Sequence, residues 1–271
     1  KLISEYILKN YDKAAFMTAA KLGNSVGVSE STVVRFAIEL GFSGYPSLQK
    51  SLQELIKNKL TTVQRLDLSN DYICNGYTLK GVLKSDMENI RATMEKINYS
   101  TFEDVVNNIF EAKRIYIIGL RSSMALAEFL GFYLNVILQN VKTVGYGISD
   151  IFEEMINIGE GDLVIGIGFP RYANRTIDVL SFAQDRGATI VALTDSIISP
   201  LAQRADYALI VQSNMASFVD SLVAPLSVIN ALLIAVGLRQ KESVSTTFNS
   251  LEQIWKEYNV YSYNHNNDDE F

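Results

Sequence analysis

Residues 18–45, TAAKLGNSVGVSESTVVRFAIELGFSGY, read as two short helices separated by a tight turn. The small or apolar positions Ala20, Leu22, Val26, Val28, Val33, Val34, Phe36, Ala37 and Leu40 are spaced to close a small core. Gly27 falls where the chain must reverse sharply, and a residue without Cβ turns there at least cost. Ser29 suits the N-cap of the second helix. The exposed side of that helix then carries Glu30, Ser31, Thr32 and Arg35, short hydroxyl side chains beside one guanidinium. This is the geometry of a helix-turn-helix, whose second helix lays its N-terminal residues against base edges in the major groove. The expected DNA-facing set is Ser29, Ser31, Thr32 and Arg35, with Tyr45 and Lys50 as phosphate contacts. An ordinary helical hairpin has the same spacing, and the motif's place near the N-terminus and its charge favour the DNA-binding reading. Residues 1–60 hold eight Lys/Arg against five Asp/Glu, a balance of +3, while the remainder is −9 and the whole chain −6. A basic module on an acidic body suits phosphate contact, and the acidic body limits nonspecific sticking.

The 271 residues allow two domains, and a hydrophobic content of 48% supports a substantial core. No apolar run reaches the roughly 18 residues of a membrane span. The longest, 222–238, is interrupted by Pro225 and reads as a buried helix. The opening residues lack the pattern of a signal peptide. The single cysteine, Cys74, excludes an internal disulfide and a cysteine-rich metal site. The single histidine, His265, sits in a polar tail, HNNDDEF. These features lead to the expectation of a cytoplasmic protein with no membrane, metal or cofactor.

The first domain is expected to be all helical, over residues 1–60. Leu2 to Lys9 form a helix, and a further helix from about Ser47 to Lys59 sets Leu48, Leu52, Leu55 and Ile56 on one face. Residues 61–77 show no sustained period and are expected to be a linker. From 78 to 260 helices alternate with short apolar runs: strands at 114–119, 141–146, 162–168, 189–194 and 207–212, the last as an inner strand. Helices are expected at 79–97, 101–111, 123–138, near 150–157, and at 174–186, 218–238 and 245–258. Continuous Val/Ile/Leu runs between helices indicate buried parallel strands covered on both faces. The result is a doubly wound α/β sandwich, with a ligand expected beyond the carboxyl ends of the strands. Residues 261–271 read as a disordered tail.

Residues 18–48, TAAKLGNSVGVSESTVVRFAIELGFSGYPSL, resemble the helix-turn-helix of RpiR/MurR-type bacterial transcription regulators. The segment 114–238, with ATIVALTDSIISPLAQRADYALIV inside it, resembles their SIS (sugar isomerase) domain. The resemblance implies a five-stranded parallel sheet in an αβα sandwich and a homodimer or homotetramer joined through SIS helices. It also implies a regulator of a DNA operator that senses a phosphorylated sugar or a related metabolite. In the family a glycine/serine turn after the first strand and a Ser-x-Ser-Gly-x-Thr turn after a later one cradle the phosphate. This chain has Gly119-Leu120-Arg121-Ser122-Ser123 at the first place and Phe169-Pro170-Arg171-Tyr172-Ala173-Asn174-Arg175-Thr176 at the second. Two serines at a helix N-terminus still suit an anion, and arginines replace the lost hydroxyls with planar, two-bond donors. The expected ligand set is therefore Arg121, Ser122, Ser123, Arg171, Tyr172, Arg175, Thr176, Thr194 and Ser196, for a sugar phosphate or a carboxylate.

The competing function is a phosphosugar isomerase with a helical extension. Isomerisation needs a positioned acid and base. The histidine lies in the tail, Glu128, Glu153 and Glu154 are ordinary helix residues, and Asp195 is the one carboxylate at an obvious strand end. The regulator is the expected reading, not an enzyme.

Overall fold

The computed structural model describes residues 1–56, 61–63, 65–66, 78–145, 147, 150–215 and 218–262. Most of the linker, including Cys74, and the tail with His265 lie outside the described residues, as does the Leu55 side chain.

The N-terminal part is helical: α1 (Leu2–Lys9), α2 (Tyr11–Ala14), α3 (Ala19–Val26), α4 (Glu30–Glu39) and α5 (Tyr45–Ile56). Thr18 caps α3 by accepting from the Lys21 N–H, and α3 ends at Gly27 in the left-handed region (φ 77°), where glycine escapes the Cβ clash. Ser29 caps α4 by accepting from the Thr32 N–H. Ile3, Ile7, Ala14, Ala19, Leu22, Val33, Ala37, Tyr45 and Leu48 form the core. Ala20 and Leu40, expected inside, are exposed. The buried stripe of α3 runs through 19, 22 and 23, so Ala20 points off it, and Leu40 falls where the helix has already ended. α5 starts two residues before the expected Ser47, because Pro46 fits a first helical turn whose N–H groups have no intrahelical partner.

The remainder begins with α6 (Thr78–Lys96) and α7 (Tyr99–Glu111). The alternating part follows: β1 (Ile115–Gly119), α8 (Met124–Leu138), β2 (Val141–Val144), α9 (Ile151–Glu154), β3 (Leu163–Ile167), α10 (Asn174–Gln184), β4 (Thr189–Thr194) and β5 (Tyr207–Ile210). α11 (Val223–Arg239) and α12 (Lys241–Glu257) complete the described elements. All four strand pairings are parallel, in the order β2-β1-β3-β4-β5. Alternate residues of each strand serve opposite faces. Ile115 and Ile117 join α7, α8 and α11, while Tyr116 and Ile118 join α9 and α10. Both faces are thus covered, which is why the strands are apolar throughout.

Three local expectations are corrected. β5 is an edge strand, half-buried along most of its length, because the sheet stops there. Pro225 does not interrupt a helix but sits in the first turn of α11. α11 begins at Val223 instead of 218, because the preceding chain is tied elsewhere. The Asn89 side chain, 1% exposed on α6, accepts from the Asn214 N–H and donates to the Asn214 carbonyl. Thr93 Oγ1 accepts from the Gln212 N–H, and Ser221 Oγ donates to Asp86 at 2.6 Å. At the sheet's other edge, β2 leaves Lys142 exposed, and its ammonium reaches Glu154 at 3.3 Å. Among the described residues no single helix is long and apolar enough to cross a membrane.

Candidate functional site

On α4 the buried positions Val33 and Ala37 fix the inner face, leaving Ser31 and Arg35 exposed and Thr32 half-buried on the outer one. Ser29 Oγ lies 2.9 Å from Ser31 Oγ and 2.8 Å from Thr32 Oγ1, so three hydroxyls cluster at the helix start, with Arg35 one turn along. Lys50 is exposed on α5. Tyr45 is not a surface contact. It is 3% exposed, its hydroxyl donates to the Met17 carbonyl at 2.7 Å, and burial pushes its pKa up to about 12. Tyr45 therefore ties α5 to the chain before α3 instead of reaching outward.

The second candidate site is a cleft of about 610 Å³ in the sandwich. In the order 2-1-3-4-5 the chain leaves β1 in one direction and β3 in the other, and ligands favour the crevice at that reversal. The cleft lies there, lined by residues 120–123 after β1 and by 167–176, which run from the last residue of β3 into α10. Gly119 lets the turn close tightly, since a Cβ on it would sit 2.6 Å from the Ser123 carbonyl oxygen. Arg121 follows in left-handed backbone at φ 58°, a conformation rare outside glycine that recurs at ligand clamps. Ser123 occupies the N-cap position of α8 without making a side-chain cap, so capping does not account for its hydroxyl.

Arg121, Ser122, Ser123, Arg171, Tyr172, Arg175 and Thr176 all line this cleft. The N-termini of α8 and α10 open onto it, adding partial positive charge. Arg175 also donates to Asp150 at 3.0 Å at the exposed rim, and Tyr172 donates to Asp195 at 2.6 Å. Thr194 and Ser196 do not line the cleft. Thr194 is fully buried and donates to Ser199 Oγ at 3.1 Å, while Ser196 Oγ accepts from the Ile198 N–H within its own turn. Ser199 in turn accepts from the Ala202 N–H, so these hydroxyls shape the β4 turn.

Four lining residues carried no local signal: Thr62, Arg65, Phe218 and Asp220. The first two come from the aperiodic stretch after α5. The last two come from the loop that α6 holds out of helix. Among the described lining residues the arginines number four (65, 121, 171 and 175) and the carboxylates one, Asp220. Of the four carboxylates weighed for acid–base work, Glu128 is exposed on α8 and does not line the cleft, Glu153 accepts from the Asp150 N–H, Glu154 pairs with Lys142, and Asp195 holds Tyr172. No group of three or more metal-ligating side chains occurs among the described residues.

Residues 1–59 match the model of the helix-turn-helix domain of the rpiR family, and residues 108–235 match that of the SIS domain. An uncharacterized HTH-type transcriptional regulator of Haemophilus influenzae is 27% identical over 215 residues, 78% of this chain and 73% of that protein. The sugar isomerase domain of an RpiR transcription factor from Sphaerobacter thermophilus is 29% identical, with a TM-score of 0.63 over 65% of this chain and 99% of that one. The Vibrio vulnificus NanR protein, solved in complex with ManNAc-6P, is 19% identical with a TM-score of 0.59, covering 95% and 92% of the two chains. That last likeness is one of fold.

Proposed function

The chain belongs to the RpiR family of transcriptional regulators, a helix-turn-helix joined to a SIS domain, and on that premise we propose that its cleft senses a small anionic metabolite and modulates operator binding. The observation that carries the reading is the cleft itself, with four arginines against a single carboxylate among its described lining residues, at the reversal point of the sheet. Guanidinium groups grip phosphate and carboxylate with paired, charge-assisted hydrogen bonds. A sugar phosphate is the first choice of effector, in keeping with the ManNAc-6P held by the similarly folded NanR. A carboxylate metabolite is the second, because arginines stand where the family's phosphate turn has hydroxyls. Arg121, Ser122, Ser123, Arg171, Tyr172, Arg175 and Thr176 are the proposed contacts.

Residues 1–60 form the proposed DNA-binding domain, residues 78–260 the effector and assembly domain, and 61–77 the connection. Ser29, Ser31, Thr32 and Arg35 address the duplex, and Lys50 a phosphate. Two such modules in a homodimer or homotetramer would read half-sites about one helical turn, or a multiple of it, apart. The effector acts by binding one arrangement of the modules better than another, since differential affinity alone shifts such an equilibrium. The setting is cytoplasmic, where operator DNA is.

A thermal-shift screen with sugar phosphates, carboxylic acids and neutral sugars tests the cleft. Gel shifts on the DNA upstream of the protein's own gene, with and without the stabilising compound, test the coupling. Stabilisation by neutral sugars and not by anions would overturn the arginine argument. Turnover of a sugar phosphate without sequence preference for DNA would make the chain an isomerase instead.

A further inference from the structure

Asp220, the one carboxylate among the described lining residues of the cleft, already holds partners that an anionic ligand would seek. Asp220 Oδ2 accepts from Ser122 Oγ at 3.1 Å, and Oδ1 lies 3.3 Å from Nη1 of Arg65. Ser122 belongs to the turn after β1, but Arg65 arrives from the stretch that follows the DNA-binding helices. The Arg65 side chain is 5% exposed, and a guanidinium is rarely buried so far without a countercharge. Thr62, three residues earlier, accepts from Nη1 of Arg171 at 3.2 Å on the opposite wall. Burial, together with the nearby charge of Arg171, holds the Arg65 pKa below its ordinary value, while Asp220 pushes the other way. An anion seated between the two guanidinium groups would relieve their repulsion.

We propose that Asp220 is a built-in surrogate for the effector's anionic group, and that Arg65 is an effector-binding residue contributed by the segment between the two domains. An incoming phosphate or carboxylate exchanges with Asp220 for Ser122 and Arg65. The inference rests on the anion-binding reading of the same cleft. Its consequence is that the seat of Thr62 and Arg65 depends on what occupies the cleft. Thr62 follows Ile56, the last residue of α5, by only six positions, so a shift in its seat falls close in sequence to the DNA-binding helices.

Inorganic phosphate titrated into the full chain by calorimetry is the probe. Asp220→Asn keeps the side chain's shape and removes its charge. Phosphate is expected to bind that variant about 5- to 20-fold tighter than the wild type, within the usual range of coupling between sites. Arg65→Gln is expected to bind phosphate at least about tenfold more weakly, the cost of losing one charge-assisted partner. Trypsin supplies a second readout. Cleavage after Arg65 is expected to be slow in the wild type, faster in Asp220→Asn, and slow again when phosphate is added. Should Asp220→Asn fail to fold, Asp220→Ser carries the same expectations. Phosphate binding by the wild type with no gain in either Asp220 variant overturns the exchange alone, as does unchanged affinity in Arg65→Gln. Phosphate binding to neither wild type nor variant overturns the anion site together with the exchange.

Discussion

The hydroxyl cluster at the start of α4 and the cleft beside β1 and β3 are built in opposite ways. Ser29, Ser31, Thr32 and Arg35 lie on one cap and one helix, held by a core of neighbours close in sequence. The cleft takes its walls from four separate segments between Thr62 and Asp220. A face made by one helix depends on that helix being folded and exposed. A cleft made by several segments depends on where each is anchored, and so responds when one is released. The first suits reading a fixed surface, and the second suits switching.

The sharpest way to break this contrast is Leu22→Ala in the fully buried helical core. A cost of about 2–5 kcal/mol is expected, enough to melt a small domain. Operator binding should vanish in gel shifts while phosphate affinity of the cleft stays unchanged. A parallel loss of phosphate binding would mean that the two regions fold as one unit. Next comes pH. The Tyr45 phenol, raised to about 12 from an ordinary value near 10, contributes stability that is whole below pH 10. As pH climbs from 10 through 12 the unfolded chain ionises first, and about 2–3 kcal/mol is lost. Alkaline denaturation of Tyr45→Phe should lack that component, though at neutral pH the variant loses about 1 kcal/mol with its bond to the Met17 carbonyl.

Arg35→Ala should weaken operator binding by about 1–3 kcal/mol, roughly 5- to 150-fold by fluorescence anisotropy, without moving the melting temperature. If Arg35→Ala weakens all DNA equally, the residue holds phosphate and reads no base. The smallest effect is expected for Lys50→Ala. The slope of log affinity against log salt should fall by about one, with sequence preference intact.

The helix-turn-helix was legible in the sequence because each signal acts within a few residues. Thr18 and Ser29 cap, Gly27 reverses the chain, and Leu22, Val33 and Ala37 keep helical spacing. The strands were legible for a related reason, since burial on both faces leaves an unbroken apolar run. Half of the cleft followed from its two strand-end turns. Its other half did not, because Arg65 and Asp220 meet 155 positions apart and nothing in either neighbourhood announces the partner. Tyr45 misled for the mirror-image reason. An aromatic beside a glycine turn looks exposed until α5 folds back to offer it the Met17 carbonyl. Thr194 and Ser196 sit at a strand end, as ligand residues often do, but β4 lies beyond the reversal point and its hydroxyls are spent on the Ser199 turn.

The outermost strand next to β1 has one more implication. Among the described residues no strand pairs with the outer edge of β2, and such an edge is a ready template on which a foreign strand could add. Lys142 stands in the middle of that short strand with its ammonium steered to Glu154, so an intruding strand would have to strip water from a charge and dislodge its partner. A charge held at that margin therefore works against the sheet growing into a neighbour.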